Sequence, residues 1–207
     1  MPLDVIDDWS KRLKDITEGY ELKDIFNADE TGLYFRTLPK KSMVKKGESC
    51  KGTKLAKDRV TVLCACSATG EKLKPLVIGH AENPRCFKSI NKLNLPAHYR
   101  WNRKSWMTAT LFEEWLLKLN NKMKAQKRKI LLFVDNCAAH PKMEMSNVKL
   151  NSFHPNTTST LQPLDAGIIS TFKALYRKRF LRHLVAAIDE ASTAVELVKS
   201  VTLLDAV

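Results

Sequence analysis

The chain has 207 residues, 44% of them hydrophobic, and its 35 lysines and arginines against 22 acidic residues give a net charge of +13. This composition excludes a disordered chain, and the length is enough for one sizeable core. The basic excess favours nucleic acid as a partner and a nuclear location, although a basic surface that only maintains solubility is the alternative.

Neither a membrane span nor a secretory leader is predicted. Every apolar run is shorter than the ~18 residues that a membrane helix requires, and Met1–Asp4 lacks the basic and apolar start of a leader. The five cysteines form an odd set without zinc-binding spacing, so free thiols are predicted rather than disulfides or a zinc site. An intracellular protein without a membrane partner is expected.

The first half of the chain reads mainly as strands after a helical lead-in over residues 1–23. A strand is predicted from Ile25 to Asp29, and Thr31-Gly32 then predicts a tight break before a second strand at Leu33–Arg36, as in a hairpin. Two further strands are predicted over Arg59–Ala68 and Leu73–Gly79. Residues 80–107 carry scattered prolines and aromatics and predict an irregular connection.

Helices alternate with strands in the second half. Apolar residues at helical spacing predict a helix over Thr108–Lys124, and a continuous apolar run predicts a buried strand at Ile130–Val134. A short strand at Val148–Phe153 and a long helix at Asp165–Ile188 follow. The predicted fold is therefore α/β, a mixed sheet flanked by helices. Residues 188–207 read as a helical tail that is truncated.

Three aspartates stand at the ends of predicted elements. Asp29 ends the first strand, Asp135 follows the buried strand, and Asp165 opens the long helix. Ligands in open α/β sheets bind beyond the carboxyl ends of strands. Three carboxylates at one sheet edge predict a site for Mg²⁺ or Mn²⁺, with two ions held about 3.5–4 Å apart. One ion would activate the attacking water or hydroxyl, and the other would stabilise the leaving oxygen of a phosphodiester.

Each aspartate also has an ordinary structural explanation. Asp165 suits a helix N-cap, Asp135 suits a turn with Asn136, and Asp29 suits a solvated turn. Taken singly, these explanations are preferred, and only the joint placement of the three favours a site. Glu30 competes with Asp29 because alternate side chains of a strand point to opposite faces, and the spacing leaves that choice open.

Several other side chains are candidate neighbours of this site. Asn136, His140 and Gln162 are predicted to surround the ligands, although a structural histidine and a loop-stabilising glutamine are equally good interpretations. Trp101 and Trp106 are candidates for stacking on bases, whereas Trp115 lies on the apolar helix stripe and is predicted to be core.

Two basic segments are the candidate DNA contacts, with a solvated surface as their alternative. The first is the loop between Lys40 and Lys57, and the second is one face of the last long helix. The candidate DNA-binding residues are Lys40, Lys41, Lys45, Lys46, Lys54, Lys173, Arg177, Lys178 and Arg182.

Six ordered motifs carry a resemblance to a known family. They are IFNADETGLYF, GTKLAKDRVTVLCACSATGEKLKPLVIG, NPRCFK, WMTATLFEEWL, ILLFVDNCAAH and TSTLQPLDAGIISTFKALYRK. Together they resemble the DDE superfamily endonuclease domain of pogo/Tigger-type transposases, from about Asp24 to Leu184. That group includes proteins derived from Tigger elements, the Jerky proteins and centromere protein B.

The resemblance implies a ribonuclease-H-like fold over residues 24–187 and a catalytic triad of aspartates. The family's first aspartate matches Asp29 rather than Glu30, the second matches Asp135, and the third matches Asp165. A single departure, His154 in place of a proline, lies in a loop. Family members normally carry helix-turn-helix domains before this domain, whereas this chain starts almost directly with it, so a fragment is one expectation.

The implied activity is metal-dependent DNA strand cleavage and transfer, with DNA as partner and a homo-oligomer as a possible assembly. The intact triad favours an enzyme. A domesticated, catalytically silent DNA-binding domain is the first alternative, and a ribonuclease-H-type nuclease acting on hybrids is the second.

Overall fold

The computed structural model of the protein describes residues 3–37, 58–153, 161–187 and 194–207. Within them, a six-stranded sheet lies between helices on both faces. The strands are β1 Ile25–Tyr34, β2 Arg59–Ser67, β3 Leu76–Gly79, β4 His98–Trp101, β5 Ile130–Val134 and β6 Val148–Ser152. The helices are α1 Leu3–Thr17, α2 Ala109–Ala125, α3 Ile169–Ala186, α4 Ala194–Ser200 and α5 Leu203–Ala206.

The strands follow the order β4-β3-β2-β1-β5-β6. β2 runs antiparallel to β1 and β3, whereas β5 is parallel to both β1 and β6, and β4 is parallel to β3. All five residues of β5 are buried, which explains its unbroken apolar run, since helices cover both faces of the sheet there. The predicted mixed sheet flanked by helices is confirmed.

The predicted hairpin at Thr31-Gly32 is wrong, because β1 continues through it as one strand of ten residues. Thr31 pairs with Val62 and Gly32 pairs with Thr61, so β2 holds both in the antiparallel ladder. Gly32 does not have a positive φ, and a Cβ there would meet the Arg59 side chain at 3.4 Å. Cross-strand pairing therefore overrides the local preference of glycine for a turn.

The prediction that residues 80–107 form only an irregular connection is also wrong, since β4 lies within it. Three of its four residues, His98, Arg100 and Trp101, are exposed or half-buried, so no apolar pattern identifies the strand. Tyr99 is its buried residue, and its hydroxyl donates a 2.6 Å hydrogen bond to the Ala81 carbonyl. A Cβ on Gly79 would collide with that hydroxyl, so close packing requires glycine there.

The helix α2 covers one face of the sheet. Its start is capped by Thr108, whose side chain accepts a hydrogen bond from the Leu111 N–H. Phe112, Leu116 and Met123 are fully buried, and Trp115 is core as predicted. They pack in one cluster with sheet residues that include Phe26, Leu63, Ile78 and Leu132. Truncating one of these large side chains to alanine is expected to destabilise the fold by about 2–5 kcal/mol.

The other face is covered by α1, α3 and the end of the chain. Trp9 of α1 packs on Phe133 and Phe153. Tyr176 of α3 and Leu203 of α5 pack against a second patch of the sheet that includes Leu33 and Val60. Residues 194–207 are mainly helical, and residues 188–193 of the predicted tail lie outside the described residues. Among the described helices, none is long and apolar enough to cross a membrane.

Candidate active site

Asp29 lies inside β1 rather than at its end, where the sequence predicted it. It is buried, with 7% of its surface exposed, and it pairs with Cys64 of β2. The reason is that β1 continues to Tyr34 to pair with β2, whereas its other neighbour, β5, ends at Val134. Asn27 pairs with Phe133, so Asp29 and Asp135 each stand two positions beyond that pair. Both aspartates therefore lie level with the carboxyl end of β5.

Asp135 contacts a buried histidine. Its Oδ1 lies 2.6 Å from Nδ1 of His140, whose Nε2 lies 2.9 Å from Oε1 of Glu30. The imidazole also packs on the Phe112 ring, with centroids 4.3 Å apart. These contacts make a chain of three charged groups, Asp135–His140–Glu30, whose possible ligand atoms all lie within 4.8 Å of one another.

His140 is a cation in this arrangement. Burial lowers its pKa, but the carboxylates of Asp135 and Glu30 outweigh burial and raise the pKa to about 10. At neutral pH both ring nitrogens therefore carry protons and face a carboxylate each. The imidazolium therefore offsets part of the negative charge of Glu30 and Asp135, while Asp135 Oδ1 has no hydrogen-bond partner among the described residues.

Asp29 has a different electrostatic setting. Burial raises its pKa, the Gln162 side chain acts against it, and the charges of Asp165 and Glu30 raise it further, to about 7. The Glu30 N–H donates a 2.8 Å hydrogen bond to its Oδ1. In the absence of a cation this carboxyl is therefore only partly ionised at neutral pH.

Asn27, which the sequence analysis missed, joins the segments that carry the three aspartates. Its Nδ2 donates a 3.1 Å hydrogen bond to the Phe133 carbonyl, and its Oδ1 accepts one of 3.1 Å from the Leu164 N–H. It thereby ties β1 to β5 and to the residue before Asp165. The available signal was an amide between the apolar residues Phe26 and Ala28 of β1, since a buried amide must find partners.

The segment carrying Asp165 is a π-helical turn, Leu164–Ile168, rather than the start of a regular helix. Gly167 has a φ of 147°, which interrupts the helix before α3 begins. Neither Pro163 nor Ile168, the residues before the turn and before α3, makes a side-chain cap. The N-cap explanation for Asp165 is therefore wrong, and its carboxylate is exposed.

Gln162 is 1% exposed, and neither Nε2 nor Oε1 has a hydrogen-bond partner among the described residues. Such a group ordinarily costs about 1–3 kcal/mol. It lies close enough to Asp29 to favour that carboxyl's charged form. Asn136, the third predicted neighbour, is exposed.

The predicted DNA contacts divide into two groups. Lys40, Lys41, Lys45, Lys46 and Lys54 lie outside the described residues. On α3, Lys173 is half-buried, and Arg177, Lys178 and Arg182 are exposed. The basic face of α3 is therefore accessible, and its role in DNA binding stays a prediction.

Comparison with known proteins identifies the family. The family model described as DDE superfamily endonuclease matches residues 57–207. This chain belongs to that family, in the pogo/Tigger group. Tigger transposable element-derived protein 4 of Mus musculus is 39% identical to this DDE domain over 174 residues, which cover 83% of the chain and 34% of that relative. CENP-B homolog protein 2 of Schizosaccharomyces pombe is 34% identical over 189 residues, covering 86% and 36% respectively.

This DDE domain thus spans about a third of the length of these curated relatives. Its fold is similar to that of the Mos1 mariner paired end complex with Mn, with a TM-score of 0.54 and 16% sequence identity. That similarity covers 82% of this chain and 47% of the Mos1 chain. The ribonuclease-H-like fold is therefore confirmed.

Proposed function

We propose that this chain is a catalytic domain that cuts and transfers DNA strands by metal-dependent phosphoryl transfer. The observation that carries the proposal is the level placement of Asp29, within β1, and Asp135, directly after the adjacent parallel strand β5. Asn27 anchors the segment of Asp165 to the same two strands, and Asp165 lies close enough to raise the pKa of Asp29. Residues 24–187 are the proposed extent of the domain.

The residues present fit a hard divalent cation. Asp29, Asp135 and Asp165 supply carboxylate oxygens, the ligands that Mg²⁺ and Mn²⁺ prefer. Two features support a site on the Asp29 side of β1, namely the raised pKa of a buried carboxyl and the Gln162 carboxamide, which has no hydrogen-bond partner among the described residues. Bound there, a pair of ions would supply charge stabilisation for the attacking and leaving oxygens of a phosphodiester.

The chain's other residues would hold this site in shape. His140 fixes the Asp135 carboxylate from the α2 face of the sheet. Asn27 sets the position of Asp165 relative to the strands, and Gln162 is placed to orient Asp29 or a substrate oxygen. Rigid support of this kind is what a ligand set requires, because a misplaced ligand weakens metal binding by about 10–100-fold.

DNA is the proposed partner, and the nucleus the proposed location. The support is the net charge of +13 and the exposed basic residues Arg177, Lys178 and Arg182 of α3. The lysines between Lys40 and Lys57 are proposed to contact phosphates as well, and a homo-oligomer is the proposed assembly on DNA. Contacts of this type bind phosphates without reading sequence, so affinity is expected to fall steeply with salt.

A nicking assay on supercoiled plasmid tests the proposal, with Mn²⁺, Mg²⁺ or EDTA. The wild type is expected to nick with either metal and not with EDTA. Asp135→Asn should lower the rate at least ~1,000-fold, because losing a metal ligand removes several kcal/mol of charge stabilisation. Asp15→Asn is the matched control, since Asp15 is an exposed aspartate on α1.

Other outcomes point to the alternatives. Plasmid binding by the wild type without nicking in either metal would favour a catalytically silent DNA-binding domain. Faster cleavage of an RNA–DNA hybrid than of duplex DNA would favour a ribonuclease-H-type nuclease.

A further inference from the structure

A groove of about 230 Å³ opens beside the candidate active site, on the α2 face of the sheet. Glu30 and His140 line it at one end, and Arg59 and Trp106 line it beyond Gly32. His140 also contacts Asp135, so the groove begins one side chain away from a proposed metal ligand. This space is called the Trp106 groove below.

The loop before α2 holds Trp106 in a fixed position. Asn102 Oδ1 accepts hydrogen bonds from the N–H groups of Lys104 and Trp106, at 3.1 and 3.2 Å, and Asn102 Nδ2 donates to the Trp106 carbonyl. Ser105 is buried and has a φ of 52°. Its carbonyl accepts hydrogen bonds from Thr61 Oγ1 at 2.6 Å and from Arg59 Nη2 at 3.1 Å.

Despite this support, Trp106 is 60% exposed. The Arg59 guanidinium carbon lies 5.1 Å from the centre of its ring. A positive φ at a non-glycine residue and an exposed indole are both unfavourable for folding alone. A rigidly presented aromatic surface is what a stacking partner needs, because little freedom is lost on binding.

The charges around Trp106 identify the partner's chemistry. Arg103 and Lys104 are exposed on the same loop, and Arg59 lies beside the ring. Aromatic side chains interleaved with cations bind single-stranded nucleic acid, since bases stack on the rings and phosphates meet the charges. A planar ring attached to an anionic backbone fits this surface better than an aliphatic side chain does.

We propose that the Trp106 groove binds an unpaired nucleobase of the DNA strand that lies at the carboxylates. The base stacks on Trp106, and its flanking phosphates meet Arg59, Arg103 and Lys104. This inference rests on the proposed function because it takes DNA to be the ligand. Since every base has a stacking face, the groove is expected to favour unpaired over paired nucleotides rather than to read a sequence.

Fluorescence anisotropy in EDTA, with a labelled oligothymidylate and a fully paired hairpin as probes, tests the proposal. Trp106→Ala is expected to weaken single-strand binding about 5- to 100-fold, the loss of one stacked base. Hairpin affinity should change less than about twofold, because phosphate contacts dominate it. Trp106→Phe should recover most of the single-strand affinity.

Trp101→Ala tests the other tryptophan that the sequence indicates for base stacking, because Trp101 is 45% exposed at the end of β4 but does not line the groove. Its effect on either probe should be less than about twofold, given that phosphate contacts supply most of the remaining affinity. The proposal is overturned if Trp106→Ala binds the oligothymidylate as tightly as the wild type. An equal loss in Trp101→Ala, or an equal loss on the hairpin, overturns it too.

A cross-link tests the location independently. Cys137 is exposed and lines the groove, so an oligonucleotide with a base-tethered disulfide should exchange with it. The cross-link is expected in the wild type, and it should be lost in Cys137→Ser and much slower in Trp106→Ala. Equal cross-linking in Trp106→Ala would show that the base does not lie against the indole.

The two proposals fail separately. If the wild type never nicks plasmid but Trp106→Ala alone loses oligothymidylate binding, the groove stands and catalysis does not. If plasmid is nicked while Trp106→Ala leaves oligothymidylate binding unchanged, catalysis stands and the groove does not.

Discussion

Asp29 and Glu30 are adjacent in sequence, yet the two faces of β1 give them opposite settings. On the α2 face, Glu30 is paired with the protonated His140, which also holds Asp135. On the other face, Asp29 is buried near Asp165 and Gln162. Among the described residues, Asp29 has no cation of its own and the Gln162 carboxamide has no hydrogen-bond partner. On one side of the strand a cation therefore accompanies the carboxylates, and on the other side none does among the described residues. This difference between the two faces favours a metal site on the Asp29 side of β1, which a count of carboxylates alone would not indicate.

The largest expected effect is on plasmid nicking, where substitutions of Asp29 and Glu30 should have different consequences. Asp29→Asn should lower plasmid nicking at least ~1,000-fold, because it removes a proposed metal ligand. Glu30→Gln should lower it only about tenfold, since Glu30 acts through His140 on Asp135. Initial rates in Mn²⁺ measure both variants. Equal losses would remove the functional distinction between the two faces of β1.

Substitutions on the two faces of β1 should change the free energy of unfolding in opposite directions. His140→Ala leaves Glu30 and Asp135 without their cation, and His140's side chain is only 2% exposed, so a loss of about 3 kcal/mol is expected. Asp29→Asn should instead stabilise the metal-free protein by about 1–3 kcal/mol, because it removes a buried charge. Urea unfolding at pH 8 in EDTA measures both. If Asp29→Asn destabilises the protein instead, the buried carboxylate of Asp29 does not lack a compensating positive charge.

The pH dependence of stability should show two windows. The pKa of Asp29 is raised from 3.8 to about 7, so its contribution to stability is full below 3.8 and falls as pH rises to about 7. The pKa of His140 is raised from 6.5 to about 10, so its contribution is full below 6.5 and is lost towards 10. Urea midpoints across pH should lose the first slope in Asp29→Asn and the second in His140→Ala. A slope that persists in its own variant would show that another group causes it.

Metal binding should change the free energy of unfolding by the smallest amount. Mn²⁺ at ten to a hundred times its dissociation constant should stabilise the wild type by about 1.4–2.7 kcal/mol, because it binds only the folded state. Asp29→Asn should abolish most of this gain, and Glu30→Gln should keep it. Thermal unfolding with and without Mn²⁺ is the measurement. A gain lost in Glu30→Gln instead would move the cation to the Glu30–Asp135–His140 cluster.

Long, strongly patterned elements could be predicted from the sequence, whereas short or interrupted ones could not. The buried run of β5 and the apolar stripe of α2 are intrinsic signals, and both elements form as predicted. The continuity of β1 through Gly32 depends on β2, a partner distant in sequence. β4 is hidden because only Tyr99 of its four residues is buried.

The sequence indicates the residue types of the candidate site but not the contacts among them. Asp135 follows β5 as expected, and its level position with Asp29 depends on the β1–β5 register, which no local pattern specifies. The choice of faces for Asp29 and Glu30 also depends on which helix covers each side. The contacts of Asn27 join parts of the chain that composition and periodicity cannot connect.

Asn27 also has a consequence for the order of folding. Its two hydrogen bonds close sequence separations of 106 and 137 residues, and long closures come late because their entropy is lost before their contacts form. A nascent chain can complete β1 and β5 before residue 164 has been synthesised. The segment that carries Asp165 is therefore expected to join last. The sheet would then be nearly complete before the three aspartates are brought together.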